Sequence, residues 1–183
     1  MRIGKIGWVF LAATVGLVVV AQQTSGRQAK ATFRDASGKD VGQATLVQTQ
    51  HGVLVKMKLA GLPAGEHAFH VHETGKCEPP FKTAGGHFNP TKKAHGIAAK
   101  KGMHAGDLPN LHVPQAGSVE LSLFLADVTL GKGRASLLDS DGSALVLHAG
   151  PDDYVTDPAG NAGDRIACAV VQEGAVAADA GTP

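Results

Sequence analysis

Aromatic side chains make up only 4% of this chain, with one tryptophan and one tyrosine, while glycine occurs 24 times. That balance points to a β protein with many tight turns. Excess charge of either sign is also missing: 17 basic residues stand against 16 acidic ones. Arg2 and Lys5 fall in the N-terminal segment, so without residues 1–21 the count is 15 against 16. A charge so near zero leaves no footprint for nucleic acid or an anionic membrane. Cysteine is limited to Cys77 and Cys168. Neither has a second cysteine nearby, which argues against a thiolate metal site. No cysteine lies near residue 21, which excludes a lipid-modified N-terminal cysteine. Beyond that segment there is no helical stripe of useful length and no internal repeat.

One long apolar run is present. Arg2 and Lys5 precede Ile6–Ala21, and Val19 and Ala21 supply the small residues a signal peptidase requires, so residues 1–21 read as a signal peptide. An uncleaved anchor is the other reading, because the run lies between signal-core and membrane-spanning lengths. The expected destination is the periplasm, cell envelope or extracellular space, with no stable membrane association after cleavage. Residues 22–30 read as a linker, 31–172 as one domain and 173–183 as a flexible tail rich in alanine and glycine. In an exported chain the two cysteines suggest a disulfide. Closing a loop of that size would stabilise the fold by roughly 4–5 kcal/mol in the chain-entropy picture.

Short alternating runs organise the domain. Strands are expected at 31–36, 41–48, 53–59, 66–73, 119–125, 135–138, 144–148 and 166–171, which indicates an all-β sandwich or barrel. Between Thr74 and Asp107 the alternation stops for more than thirty residues, a length that in a compact domain means function or disorder. Seven of the nine histidines fall between positions 67 and 112. His70 and His72, two apart on a strand, share one face and can grip a single ion of the kind imidazole prefers, copper or zinc. The long segment adds His87, His95, His104 and Asp107, three imidazoles and a carboxylate that suit tetrahedral zinc. A solvated polar loop is the plain alternative. His148 closes the apolar run Ala144–Leu147, well placed on a barrel wall. His67 lies on the strand face opposite His70 and His72 and reads as a core histidine; His51 and His112 read as surface residues.

These residues resemble the copper-zinc superoxide dismutase family. The likeness is carried by Gly65–Glu73, Gly85–Pro90, His104–Asn110 and Gly160–Cys168, four motifs in the family's order, and runs from about Ala31 to Val171. The resemblance implies an eight-stranded Greek-key β-barrel of immunoglobulin-like architecture with a long metal-binding loop. It implies copper, cycling between Cu(2+) and Cu(+), on His70, His72, His87 and His148, and Zn(2+) on His87, His95, His104 and Asp107. It assigns Asp152 to hydrogen-bond His70 and His95, pairs Cys77 with Cys168, and makes His87 and Arg165 the catalytic side chains.

The implied reaction is disproportionation of superoxide to oxygen and hydrogen peroxide, with the substrate anion drawn in by Arg165. The family occurs as monomers and dimers, so a homodimer stays open. Three departures bear on rate and salt dependence: a short segment between His148 and Arg165, Ala159 in place of a threonine, and Asp164 beside the arginine. The competing reading is a non-enzymatic copper and zinc carrier of the cell envelope.

Overall fold

A computed structural model describes residues 26–174; the segment read as a signal peptide and nearly all of the expected tail lie outside them. Strands β1 (Gln28–Asp35), β2 (Asp40–Thr49) and β3 (Gly52–Ala60) form a meander in which alternate side chains are buried along β1 and most of β3, while β2 slips by one between Val41 and Ala44. Ala29, Ala31 and Phe33 point inward from β1, and Val53, Val55, Met57 and Leu59 from β3, the two-residue period of a sheet with one wet face. The turn between β1 and β2 is fastened by Asp35, whose Oδ1 accepts from the Ser37 hydroxyl and from the amides of Ser37 and Lys39 at 2.6, 2.9 and 3.1 Å.

The remaining strands are β4 (Gly65–His67), β5 (Phe69–His72), β6 (Leu111–Val113), β7 (Ser118–Leu125), β8 (Ala144–His148), β9 (Arg165–Val170) and β10 (Gln172–Glu173). They pair antiparallel in the order β5-β8-β9-β1-β2-β3-β7, with β4 on β6 and β10 on β1. Since β4 and β5 are halves of one broken strand and β10 continues β9 along β1, the ten segments occupy eight barrel positions. The chain leaves β3, crosses to β8's neighbourhood, and returns as β7 beside β3, which is the Greek-key connection.

Several local expectations change. The strand expected over 66–73 breaks at Ala68, whose carbonyl accepts from His148 N and whose amide donates to Gly150 O. Residues 135–138 form no strand; only an isolated bridge joins Ser136 to Thr129, because Gly131 and Gly133 turn the chain too tightly for a ladder. Strand β6 lies outside the expected set, since three residues are too few for a period to show. β1 begins at Gln28, inside the expected linker. Glu173 is held by pairing with Ala29 and by an Arg27 salt bridge of 2.6 Å. Tertiary pairing ordered both ends.

Strand β8 is buried at every position. Leu145 and Leu147 join the main core, while Ala144 and Val146 belong to a second cluster with Phe81, Ala84 and Cys168. The long loop therefore lies over the outer face of β8 and β9. Covered on both sides, β8 loses the wet face that would give it alternation.

Truncating Leu147, fully buried, to alanine is expected to lower unfolding free energy by about 2–5 kcal/mol. Phe124→Ser on the exposed face of β7 should change it by roughly 0.5 kcal/mol or less. Urea unfolding of the two variants checks the contrast.

Candidate metal centre

Strand β5 sends Phe69 and Val71 into the barrel core and His70 and His72 to the opposite face, where all four are buried. Its edge away from β8 would expose unpaired backbone groups, and the long loop pairs with them. Val71 donates to Gly106 O (2.9 Å) and accepts from Phe88 N (2.8 Å), and Glu73 donates to Gly86 O (2.9 Å). Bridges then set His70 opposite Asp107 and His72 opposite His87. The approach is close enough that a Cβ on Gly106 would overlap the Val71 carbonyl, so only glycine serves there. The Cys77–Cys168 disulfide ties the start of the loop to β9, with Cα atoms 5.6 Å apart.

This docking brings together every expected ligand. One atom from each of His70, His72, His87 and His148 forms a group within 4.8 Å of one another, and His87, His95, His104 and Asp107 form a second group of the same tightness. All seven residues are buried. His87 belongs to both.

Which nitrogen faces each group follows from the partner of the other. His72 Nδ1 lies 3.0 Å from Gly85 O and His148 Nδ1 lies 3.3 Å from Gly163 O, so both rings carry a proton there and turn bare Nε2 inward. His70 and His95 donate from Nε2 to the two oxygens of Asp152, at 2.8 and 3.0 Å, and turn bare Nδ1 inward. Such outer hydrogen bonds fix tautomer and ring orientation for metal binding. Among the described residues, His72 Nε2 and His87 Nε2 are buried without a hydrogen-bond partner. An isolated polar atom buried in that way is unfavourable, and a cation at the four-histidine group removes the penalty.

At the second group the nitrogens Nδ1 of His87, His95 and His104 lie 2.8, 3.0 and 3.1 Å from the single oxygen Oδ1 of Asp107. His87 Nδ1 and His104 Nδ1 face each other at 3.3 Å. With the His95 proton on Nε2, its bare Nδ1 meets Asp107 Oδ1 lone pair to lone pair, and two further rings crowd the same oxygen, a poor hydrogen-bond pattern. A tetrahedral zinc with bonds of 2.0–2.1 Å places its donors about 3.3–3.4 Å apart, close to this set. Asp107 Oδ2 is occupied by the amides of Gly96 and His104, both at 2.9 Å, leaving Oδ1 free to coordinate.

The electrostatics agree. Burial, reinforced by neighbouring rings and Arg165, pushes His72 down to about 2 and His148 to about 3. Burial also lowers His87, partly offset by its Asp107 hydrogen bond, to about 4. All three rings are neutral near pH 7, the form that binds metals. Burial pulls Asp107 and Asp152 upward, but hydrogen bonds, led by His87 on Asp107 and by His70 and His95 on Asp152, hold both well below the usual carboxylate range.

Arg165 stands directly across the ladder from His148. Its Nη1 donates to Phe81 O at 2.6 Å and its Nη2 to Gly85 O at 2.7 Å. Asp164 is exposed and makes no ion pair with it among the described residues. The opening beside His148 is lined by Pro158, Ala159, Asn161 and Gly163 among others. His67 is buried with its ring nitrogens 2.8 and 3.0 Å from the carbonyls of His148 and Pro63. His51 is exposed, and exposed His112 pairs with Glu66 at 2.7 Å.

Two supporting contacts leave no mark in the sequence. Asp157 Oδ1 accepts from the His95 amide at 2.6 Å. Gly160, with φ of +63°, packs so tightly that a Cβ would overlap Asp152 Oδ1. No residue type or spacing marks either contact.

Comparisons with known proteins agree with this geometry. The family model described as "Copper/zinc superoxide dismutase (SODC)" matches residues 41–171. A Cu-Zn superoxide dismutase 1 from Aquifex aeolicus is 48% identical over 168 residues, spanning 90% of this chain and 98% of the relative. One from Caulobacter vibrioides is 42% identical over 148 residues, 79% of this chain and 85% of the relative. Among solved structures, a SOD-like protein from Bacillus subtilis superposes with TM-score 0.75 at 39% identity, covering 77% of this chain and 96% of that one. Cu/Zn superoxide dismutase from Brucella abortus does so with TM-score 0.64 at 27% identity, covering 79% and 99%.

The lowered histidines predict how metal-free protein responds to acid. The unfolded chain takes up protons near pH 6.5 while the folded rings resist until about 4, 3 and 2. The unfolded state therefore binds more protons between those limits, and stability present above pH 6.5 is lost as pH falls through that window. Urea midpoints of chelator-stripped protein should be lower at pH 5 than at pH 7.5. In His148→Gln the dependence should be shallower by up to roughly 1.4 kcal/mol per pH unit.

Proposed function

The chain belongs to the copper/zinc superoxide dismutase family, and we propose on that premise that His70, His72, His87 and His148 hold copper while His87, His95, His104 and Asp107 hold zinc. The observation that carries this reading is the pair of buried, unpartnered atoms His72 Nε2 and His87 Nε2 facing the four-histidine group. When bound, copper supplies one-electron exchange, and zinc, which has no redox chemistry, supplies charge and geometry.

The reaction takes two superoxide anions and two protons to one dioxygen and one hydrogen peroxide. The chain's own side chains supply attraction, orientation and a proton. Arg165, held by two backbone carbonyls with no carboxylate partner among the described residues, keeps its positive charge available to a small anion entering beside His148. Because Gly85 O accepts from both Arg165 Nη2 and His72 Nδ1, the attracting charge and one copper ligand are registered to the same peptide. His87 turns Nδ1 to the zinc group and Nε2 to the copper group. Its Nε2 is the atom able to hold a proton and pass it to the reduced product. Asp152 keeps His70 and His95 in their ligating tautomers.

Export to the periplasm, cell envelope or extracellular space fits the apolar run Ile6–Ala21 behind two basic residues and the disulfide, which persists in an oxidising compartment.

In metal-loaded protein, His70→Ala should lower superoxide consumption by more than about 100-fold together with copper content. Arg165→Ala should leave both metals bound, reduce the rate by roughly tenfold or more and flatten its dependence on ionic strength. Metal analysis beside a superoxide-consumption assay reads both. Tight copper binding by the unaltered chain without turnover would favour the carrier.

A further inference from the structure

Asp152 is the carboxylate shared by the two histidine groups, and the chain's one tyrosine makes three contacts around it, one directly to the carboxylate and two to its surroundings. The Tyr154 amide donates to Asp152 Oδ1 at 2.6 Å, the oxygen that also receives His95 Nε2. The backbone reaches that geometry by placing Tyr154 at φ +65°, a left-handed conformation that residues other than glycine adopt at a cost. The Tyr154 carbonyl accepts from Ala98 N at 3.0 Å, and a Cβ on Gly96 would overlap it. That docks the turn on the segment immediately after His95.

The hydroxyl supplies the third contact. Tyr154 Oη accepts from the Asn110 amide at 2.8 Å. The Asn110 carboxamide in turn brackets the Asp152 backbone, Oδ1 accepting from Asp152 N at 2.8 Å and Nδ2 donating to Asp152 O at 3.0 Å. Asn110, Asp152 and Tyr154 thus close a ring of hydrogen bonds at the entry to β6. The Asn110 contacts fix the Asp152 backbone and the Tyr154 amide holds its Oδ1, so together they restrain where the carboxylate points.

We infer that Tyr154 is a positioning residue: through the Asn110 clasp and its own amide it presets the Asp152 carboxylate, and thereby ties zinc held at the His95 side to copper held at the His70 side. The inference rests on the metal assignment above. It requires that losing the hydroxyl weakens zinc binding by acting through Asp152, and that the same loss is silent where Asp152 no longer receives both rings.

The test is a cycle in the full-length chain: unaltered, Tyr154→Phe, Asp152→Asn and the double variant. Zinc affinity is measured by competition with a chelator, with the visible spectrum of cobalt(II) substituted for zinc as a second readout. Tyr154→Phe should weaken zinc between about twofold and tenfold, the span of one net hydrogen bond, and shift the cobalt bands. In the Asp152→Asn background it should change affinity by less than about twofold. Asn110→Ser, which opens the clasp from its other side, should reproduce the single-variant effect and stands in if Tyr154→Phe fails to fold. Equal weakening in both backgrounds overturns the inference, as does an unchanged affinity and cobalt spectrum in folded Tyr154→Phe. An unaltered chain that binds no zinc at this site sinks the metal assignment as well, so the two failures are distinguishable.

Discussion

Six imidazoles and two carboxylates are packed here into a nearly dry space, and the arrangement holds because the outward nitrogens of His70, His72, His95 and His148 are tied. Asp152 is central to that constraint. It accepts from His70 on one side and His95 on the other, so a single carboxylate sets the tautomer in both histidine groups. Were either proton to sit on the inward nitrogen, a donor would face the cluster where a lone pair is needed. The depressed basicity of His72, His87 and His148 arises from the same burial.

The barrel contributes a rigid wall rather than a cavity. His70 and His72 come from β5 and His148 from β8, which are adjacent, so three rings of the four-histidine group ride on one hydrogen-bonded ladder. The remaining ligands come from the loop, whose position is over-determined. A disulfide anchors its start, a small apolar cluster under Phe81 and Ala84 seats it on β8 and β9, and backbone pairing along β5 sets its register. Loops carry function best when a scaffold restrains them this fully.

The same loop decides what Arg165 can do. Asp164, next to it in sequence, could have neutralised it, yet the guanidinium turns instead to Phe81 O and Gly85 O. Asp164 lies in the exposed bend just before β9, while the Arg165 side chain is drawn to the carbonyls of the loop. The disulfide reaches the substrate side by this route, since it restrains the loop whose carbonyls hold the arginine.

Alternation along 31–36, 41–48, 53–59 and 119–125 was enough to read an all-β domain, because a strand with one buried face prints its period into the sequence, while 144–148 showed only as a short apolar run covered on both sides. The His70/His72 pair and the histidine-rich loop were legible for a related reason, since metal-binding side chains of this kind seldom gather without a use. Other features depended on pairings between distant segments that no local pattern encodes. The break at Ala68, the short β6, the ordering of Gln28–Lys30 and Gln172–Glu173, the Asp157 cap on His95 and the close fit of Gly160 against Asp152 all belong there. Residue type and periodicity are properties of one strand or one loop, and they determined which groups could bind an ion. Which nitrogen of each ring faces inward, and what holds it there, depends on partners tens of residues away, and only the folded chain decided that.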